Sequence, residues 1–368
     1  MIGIQKLGDV AEFIRDGTHG SPVRVEKGIP VLSAMNVKGG VLNFETDRFT
    51  SIDEFESFNR RLPLAAGDLL LTIVGTIGRS AVIDEVRPLV FQRSVAVVRP
   101  KHKLLNSRFL FHVTQSRNFQ NQLDRAANKS SQAGVYLGKL GDVEVPIPPL
   151  EEQRRIAAIL DQAETLLTQR RQALAHLDTL TQSLFLDMFG DVERNPKGHP
   201  KMSLGSLVKL KSGDFLPASK MAAAGQHPVY GGNGINGLHD SYMFEESKIV
   251  IGRVGAYCGC VHVTKPQSWI TDNALYLDSV DQACDMVYLA FALTEARLNQ
   301  YASQSGQPLI SGSRISPVPM LVPPLSLQQT FATRIQAIEA LKATHRTALA
   351  QLDALFASLQ QRAFAGEL

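Results

Sequence analysis

The sequence predicts a mixed α/β protein in which two globular domains are separated by two long antiparallel coiled-coil helices, with a pseudo-twofold internal repeat. The first observation is the repeat itself, because segments that begin at Pro146 and Leu321 align without a gap at an offset of 175 residues. The second is composition, since each segment passes a Pro-Pro-Leu sequence and continues without Gly or Pro to Phe189 or Ala365. The third is the sequence before each segment, where short apolar stretches alternate with turn residues.

The two repeated segments are predicted to be helices. A residue before proline avoids the helical region, so each Pro-Pro-Leu is extended and the helix begins after it. The residues that follow are rich in Ala, Leu, Gln, Glu and Arg, which are strong helix formers. At 1.5 Å per residue each helix would be about 60 Å long. The matched positions include Pro148/Pro323, Pro149/Pro324, Leu150/Leu325, Gln153/Gln328, Leu174/Leu349, Leu177/Leu352, Asp178/Asp353, Leu184/Leu359 and Phe189/Phe364.

Apolar residues recur in a heptad along both helices, which is typical of a coiled coil. The polar residues of this seam fall at matching levels, with Arg170 opposite His345 in the alignment. Such a level is either a solvated gap in the seam or a determinant of register or partner docking. The seam consists of Leu160, Ala163, Leu167, Arg170, Leu174, Leu177, Thr181 and Leu184 in the first helix and of Ile335, Ile338, Lys342, His345, Leu349, Leu352, Phe356 and Leu359 in the second.

These landmarks divide the chain into four segments. We expect globular domains over residues 1–148 and 191–323, and helices over 149–190 and 324–368. The polar stretch 190–202 is rich in Gly and Pro and is predicted to be a linker. The elements predicted within the domains are strands over 68–74, 80–83, 94–98, 247–251, 259–263 and 273–277, and helices over 107–123 and 284–303.

Composition and charge exclude several classes of protein. No apolar run reaches the roughly 18 residues needed to cross a bilayer, and the N-terminus does not resemble a secretory leader, so we expect a soluble, cytoplasmic protein. Lys and Arg number 19 against 15 Asp and Glu over residues 1–147, but 11 against 11 over 191–322. Nucleic-acid binders usually carry a basic patch, so partners would have to supply part of the affinity for phosphate.

The cysteines do not indicate a metal site. Cys258, Cys260 and Cys284 lack the paired spacing of zinc ligands. We therefore expect buried or half-buried structural thiols in a reducing compartment.

The whole layout resembles the specificity subunit of type I restriction–modification enzymes. The resemblance is carried by PIPPLEEQRRIAAILD at 146–161, MFGD at 188–191, NPKG at 195–198 and AFAGEL at 363–368. A Pro-Pro-Leu-x-x-Gln opening of a long helix, present twice after two dissimilar domains, is more specific than any of these short motifs. The second opening, at 325–331, lacks the charged residues of the first, so identical docking at both ends is not implied.

This resemblance implies a function. Each globular domain would be a target-recognition domain that reads one half of a split sequence in double-stranded DNA. The helices would be spacers that dock two methyltransferase subunits, and whether restriction subunits join them is open. The chain itself would hold no catalytic residue, metal or cofactor, with S-adenosylmethionine, Mg²⁺ and ATP confined to partner subunits. Because the two domains differ in sequence, the target would be asymmetric and bipartite.

Candidate DNA-contacting residues are polar side chains in turns and loops. Glycine turns that follow a strand let backbone amides approach phosphate, and Gly75 and Gly78 align with Gly252 and Gly255. The alternative for the glycine turns is an ordinary tight strand connection, and the alternative for the polar stretch 128–132 and its counterpart 304–307 is a solvated linker. The candidates in the first half are Thr76, Arg79, Gln92, Arg93, Asn128, Lys129, Ser130, Gln132 and Lys139. Those in the second half are Asn233, Arg253, Asn273, Gln304, Gln307, Ser313 and Arg314.

Asn233 lies in a glycine-rich stretch, 230–237, that lacks the pattern of a nucleotide-binding loop. We predict a flexible surface loop there, in position to enter a DNA groove.

Enzymatic interpretations find little support. A methyltransferase would need an Asn/Asp-Pro-Pro-Tyr/Phe motif, whereas the single Asn-Pro, at Asn195, lies in the predicted linker. Asp240, Glu246 and Lys248 match a nuclease pattern that has no equivalent in the first half. Two non-catalytic functions stay open, namely a DNA-reading subunit, of type I or of a related modification system, and a protein-interaction scaffold on a helical rod. An adjacent adenine-methyltransferase gene would favour the first.

Overall fold

The computed structural model describes residues 3–128, 133–221, 225–303 and 306–368. The chain forms two compact units, Met1–Arg171 with Ala348–Leu368, and Gln172–Thr347, which we call the first and second unit. The predicted fold class is confirmed, because each unit combines an α/β domain with parts of two long helices. Within the part of the chain that the structure describes, no helix has both the length and the apolar character required to cross a membrane.

The helices vary in length from a single turn to forty-one residues. They are α1 (Leu7–Val10), α2 (Ile52–Arg61), α3 (Ser107–Gln115), α4 (Arg117–Ala126), α5 (Leu137–Gly141), α6 (Leu150–Phe189), α7 (Leu204–Leu207), α8 (Met286–Glu295), α9 (Gly312–Ile315) and α10 (Leu325–Ala365). Short 3₁₀ turns lie at Ala34–Asn36, Ala218–Lys220, Gly255–Tyr257 and Leu298–Tyr301.

The strands are short, and those of the first unit precede those of the second. The first unit contains β1 (Gly3–Lys6), β2 (Ala11–Asp16), β3 (Ile29–Leu32), β4 (Val37–Lys38), β5 (Val41–Leu42), β6 (Phe49–Thr50), β7 (Leu69–Thr72), β8 (Ser80–Val82), β9 (Val90–Phe91), β10 (Val95–Pro100) and β11 (Glu144–Ile147). The second contains β12 (Lys201–Ser203), β13 (Val208–Ser212), β14 (His227–Gly231), β15 (Gly234–His239), β16 (Ile249–Gly252), β17 (Val261–Val263), β18 (Trp269–Ile270), β19 (Ala274–Val280) and β20 (Pro319–Leu321).

The two units repeat one sheet topology. An antiparallel sheet has the order β2-β10-β7-β8 in the first unit and β13-β19-β16-β17 in the second. A small sheet with one parallel pair has the order β6-β3-β9 in the first and β15-β14-β18 in the second. Strands β1 and β11, and likewise β12 and β20, bring the start of each domain beside the strand that leads into a long helix. The internal repeat therefore extends through the domains, although their sequences differ.

The central strands are buried on both faces, and alternate residues point to opposite sides. In the first unit Leu69 and Leu71 pack in a core with α3, whereas Leu70 packs in a second core with β3 and β9. In the second unit Ile249 and Ile251 face α8, whereas Val250 faces the other side. Each sheet is thus a rigid layer whose strand ends hold the connecting turns in place.

Within each unit the two long helices pair antiparallel. In the first unit the Arg155 guanidinium donates to the carbonyl of Leu368 (2.7 Å), and Arg171 pairs with Asp353 (3.0 Å). In the second unit Lys342 pairs with Asp178 at 2.9 Å, and Arg334 lies near the Met188 sulfur. The predicted seam residues are buried or half-buried along both helices, including Leu160, Leu167, Ile335 and Ile338.

Several local predictions were wrong. The helix predicted over 107–123 is broken at Ser116, whose extended backbone ends α3 and whose hydroxyl accepts the amide of Phe119 to begin α4. The helix predicted over 284–303 ends at Glu295, because Arg297 adopts a left-handed backbone (φ 46°). Cys258 and Cys284 are buried as expected, but Cys260 is exposed. Strand β12 takes up the end of the linker predicted over 190–202.

The glycine-rich stretch around Asn233 is not a flexible loop. It forms the β14–β15 hairpin, with Gly231 opposite Gly234 across the turn. Tyr230 anchors the hairpin because its ring is buried and its hydroxyl accepts the amide of Lys265 (3.0 Å). Asn233 at the tip is exposed, as are Ile235 and Asn236 on β15.

Candidate nucleic-acid interface

Three connections of the first unit converge at one end of its main sheet. They are the turn 73–79 between β7 and β8, the turn 92–94 before β10, and residues 128 and 133–134 of the connection that follows α4. The amide of Ile73 donates to the carbonyl of Ser94 (2.9 Å), and the amide of Gly75 donates to Ala133 (3.2 Å). These three connections are the first loop cluster. It forms because β7 and β10 are neighbours in the sheet.

The turn 73–79 requires its glycines. Gly75 and Gly78 have left-handed backbones, with φ of 79° and 89°. A Cβ on Gly78 would lie 2.2 Å from the Gln120 side-chain oxygen, and the Gln120 amide donates to the Gly78 carbonyl at 2.9 Å. The turn is therefore held from the side of α4, which leaves Thr76 and Arg79 exposed.

The second unit contains an equivalent cluster, formed by residues 253–259, 271–273, 303 and 306–309. The amide of Arg253 donates to Asn273 (2.9 Å) and that of Gly255 to Pro308 (2.9 Å), as Ile73 and Gly75 donate in the first unit. The backbone bonds are the same although the side chains differ.

This equivalence corrects the glycine alignment made from sequence. Gly75 corresponds to Gly255, which also has a left-handed backbone (φ 80°), and not to Gly252. Gly78 corresponds to Gly259, because the amides of both donate back to the last residue of the preceding strand, Thr72 or Gly252, at 2.9 and 2.7 Å. The second turn is one residue longer, so ungapped alignment placed its glycines out of register.

In the third connection of each cluster, the residues at its two ends are joined by the same pair of hydrogen bonds. The amide of Gly134 donates to the Asn128 side-chain oxygen (2.9 Å), and the amide of Leu309 donates to the Ser303 hydroxyl (3.1 Å). The amides of Asn128 and Ser303 donate back to the carbonyls of Gly134 and Leu309. Asn128 therefore has a structural role at the base of its loop. Lys129, Ser130, Gln132 and Gln304 lie outside the described residues.

The structure brings most of the other candidates to these clusters. Asn233 lies beside the second cluster, because its neighbour Gly232 packs closely against the 271–273 turn. A Cβ added to Gly232 would lie only 3.2 Å from the Asn273 carbonyl oxygen. Lys139 is exposed on α5 and Ser313 on α9, the short helices that follow the third connection of each cluster. The exposed candidates are Thr76, Arg79, Arg93, Lys139, Asn233, Asn273, Gln307, Ser313 and Arg314, and the partly buried ones are Gln92, Asn128 and Arg253.

The arginines of the two clusters differ in availability. Among the described residues, no carboxylate pairs with Arg79 or Arg93, so both cations are available to phosphate. Arg253 instead donates from Nη1 to the Ser212 hydroxyl (3.1 Å), while its buried Nε has no partner in the described part of the chain. Burial raises the pKa of the Cys258 thiol, which donates to the Arg253 carbonyl at 3.2 Å and so stays protonated.

Two exposed apolar side chains lie at the clusters and were not among the candidates predicted from the sequence. Met35 is 85% exposed and Phe215 is 73% exposed. The amide of Ala34, beside Met35, donates to the Ser94 hydroxyl at 3.1 Å. Phe215 follows Asp214, whose amide donates to Ile270 next to the 271–273 turn. No sequence pattern distinguishes such residues from core residues, because hydropathy alone does not report exposure.

One group of side chains in the first unit has the composition of a metal site. His112, Asp161 and Glu164 bring potential ligand atoms within 4.8 Å of one another. The Arg108 guanidinium donates to both oxygens of Asp161 and lies 3.7 Å from Glu164. Its positive charge occupies the place of a cation, so we interpret the group as an ion-pair network that ties α3 to α6.

The long helices expose leucines beside the seam. In the first unit Leu166 (43% exposed) precedes seam residue Leu167, and Leu355 (52%) precedes Phe356. In the second unit Leu180 (49%) precedes Thr181 and Leu341 (52%) precedes Lys342. All four occupy the same heptad position, directly before a seam residue. In an antiparallel coiled coil this position on one helix lies opposite the same position on the other helix. Each unit therefore presents one exposed leucine pair at this heptad position, while Leu186 (43%) and Leu325 (38%) are exposed elsewhere on the helices of the second unit.

Two copies of one domain-and-helix module, with equivalent loop clusters, define the class of this protein. The family model of the type I restriction modification DNA specificity domain matches residues 3–176 and 196–354. The chain is 26% identical, over 289 residues, to the type I restriction enzyme EcoprrI specificity subunit of Escherichia coli, covering 74% of this chain and 71% of that protein.

Solved structures share the fold. The crystal structure of the type I restriction–modification system S subunit from M. genitalium matches 99% of this chain and 96% of its own, with a TM-score of 0.69 and 16% identity. A chain from a study of complex assembly and conformational transition of the type I system matches 100% and 98%, with a TM-score of 0.56 and 18% identity. The chain belongs to the type I restriction–modification DNA specificity family, and it is a specificity subunit of that class.

Proposed function

We propose that the two loop clusters are the DNA-reading surfaces, and that each reads one half of an asymmetric bipartite target. The observation that carries this proposal is the combination of equivalent backbone bonds with different side chains. Ile73 and Arg253 make the same amide bonds, yet one side chain is apolar and the other cationic. Loop clusters with equivalent backbones would dock on DNA in the same way, and their different side chains would select different bases.

The available cations support this surface. Arg79 and Arg93 are exposed beside backbone turns, where guanidinium groups bind phosphate or the edge of guanine. The second cluster offers Asn233, Asn273 and Gln307, whose amides suit contacts with adenine. The first surface would therefore supply more of the phosphate affinity, in keeping with its greater positive charge.

We further propose that the exposed leucine pairs dock methyltransferase subunits. Leu166 with Leu355, and Leu180 with Leu341, are solvated apolar groups on helices whose seams are otherwise covered. The repeat supplies one such pair in each unit, which supports two methyltransferase copies. Restriction subunits, where the system has them, would then bind the assembled complex.

The chain itself would perform no chemistry in this scheme. S-adenosylmethionine, Mg²⁺ and ATP would be bound by the partner subunits, and the whole would act beside the host DNA in the cytoplasm. The basis is family membership, together with the absence of a recognisable catalytic motif in the sequence.

Comparison of methylomes tests the DNA-reading proposal. A host strain that carries the methyltransferase subunit is sequenced for modified adenine with the gene for this chain intact and deleted. We expect one bipartite motif to lose its methylation on deletion and to regain it on complementation. An unchanged methylome would contradict the proposal and would favour the protein-interaction scaffold.

A further inference from the structure

Hydrogen bonds fix the backbone of Met35, whereas its side chain is exposed. The 3₁₀ turn Ala34–Asn36 has a capping box, in which the Ser33 hydroxyl accepts the Met35 amide (3.3 Å) and Asn36 accepts the Ser33 amide (2.9 Å). The Asn36 side chain also donates to the carbonyls of Asn43 and Glu45. Ala34 and Val37 on either side are buried. The turn is thus fixed while the methionine side chain extends into solvent, which the packing of the fold does not require.

The position of Met35 links it to the first loop cluster. The amide of Ala34 donates to the hydroxyl of Ser94, which adjoins Arg93. The equivalent of Met35 in the second unit is Asn233. The correspondence follows from the strand before it, because the Leu32 carbonyl accepts the amide of Gln92 as the Tyr230 carbonyl accepts the amide of Thr271. Each unit therefore presents one side chain at the same place, polar in one and apolar in the other.

We infer that Met35 determines specificity in the first half-site by contacting the C5-methyl group of a thymine. This inference rests on the proposed DNA-reading function. A base edge offers an apolar group to a protein only at the thymine methyl, in the major groove. A flexible thioether side chain fits such a group closely. The polar Asn233 at the equivalent place would make hydrogen bonds to a base instead.

The test removes the methyl group from the DNA and the thioether from the protein. The complex with methyltransferase subunits is titrated with duplexes that carry the target motif, and each thymine of the motif is replaced in turn by deoxyuridine. Wild type, Met35→Ala and Met35→Leu are compared. The matched control is Ile52→Ala, which removes a 57% exposed side chain on α2.

We expect one deoxyuridine to weaken binding of the wild type about fourfold, which corresponds to burial of one methyl-sized group. Met35→Ala should lose about the same affinity on thymine DNA and should no longer respond to that deoxyuridine. Met35→Leu should keep most of the response, and Ile52→Ala should behave as wild type. Thermal unfolding of Met35→Ala should match wild type, because the side chain is exposed.

Equal responses of wild type and Met35→Ala to every deoxyuridine would overturn the inference, as would a motif without thymine in the half-site that Met35→Ala affects. Either result leaves the bipartite motif of the wild type intact. Failure of the proposed function would differ, because the wild-type complex would then recognise no bipartite motif.

Discussion

Gln153 accepts a hydrogen bond from the backbone amide of Asn106 at 2.8 Å, and so joins the first turn of α6 to the N-terminus of α3. Its side-chain nitrogen donates to the carbonyls of Leu104 (2.8 Å) and Pro148 (2.9 Å). Gln328 repeats all three bonds in the second unit, with Asp285, Ala283 and Pro323. Both glutamines are fully buried. Each is therefore a satisfied polar link between a long helix and its domain.

Gln153→Leu should destabilise the first unit by about 3 kcal/mol, because it removes three hydrogen bonds and leaves the partly buried Asn106 amide and the buried Pro148 carbonyl without a protein partner. Chemical denaturation of the isolated chain measures the change. Gln162→Leu, at an exposed position of the same helix, is the control and should be nearly neutral. A loss below about 0.5 kcal/mol for Gln153→Leu would mean that water replaces the side chain.

Arg79→Ala and Arg93→Ala should each weaken DNA binding, because each removes one cation from a phosphate. The slope of log K against log salt concentration should become shallower by about one for each variant. Binding of the methyltransferase complex is measured across a salt series. Arg87→Ala is the control, because Arg87 is exposed but pairs with Glu85 at 2.8 Å. If all three variants kept the wild-type slope, the first loop cluster would not face phosphate.

Leu166→Glu combined with Leu355→Glu should remove one methyltransferase subunit from the complex, because a buried carboxylate without a partner opposes docking. Leu180→Glu with Leu341→Glu should remove the other. Native mass spectrometry counts the subunits, and Gln172→Glu serves as an exposed control on the same helix. Retention of two subunits by both double variants would place docking on another surface.

The stability of the first unit should depend on pH through His112. Burial lowers the pKa of this imidazole below its ordinary value of 6.5, despite its 2.7 Å hydrogen bond to Asp161. The folded state then binds fewer protons than the unfolded state, so stability is complete above pH 6.5 and falls as the pH drops below it.

Thermal unfolding between pH 8 and pH 5 checks this prediction. Phe291 is the counterpart of His112 in the second unit, judged by the equivalent helix starts at Asn106 and Asp285. His112→Phe should therefore fold and should flatten the pH dependence of the melting temperature. His176→Gln, which changes an exposed histidine, should leave the dependence unchanged. A pH profile of His112→Phe identical to wild type would exclude His112 as its source.

Sequence was most informative where structure is periodic and local. The long helices, their seam and the matched pair Gln153/Gln328 follow from heptad spacing, proline placement and the repeat. The break at Ser116 did not follow from apolar spacing, which continues across it, although the serine cap that accepts the Phe119 amide is a local signal. The hairpin around Asn233 did not follow, because the buried Tyr230 is held by a contact with the distant Lys265. The correspondence of Gly75 with Gly255 needed the backbone bonds to the preceding strands.

The sequence by itself determined that this protein has two domain-and-helix modules, since apolar periodicity and chain repetition are properties of a single linear segment. Only the tertiary structure decided which loops meet. The turns that contain Arg79 and Arg93 are separated in sequence from the exposed Met35. They come together because β7 and β10 are adjacent in one sheet and the Ser94 hydroxyl accepts the Ala34 amide. Strand pairing of this kind depends on long-range packing and not on any local pattern.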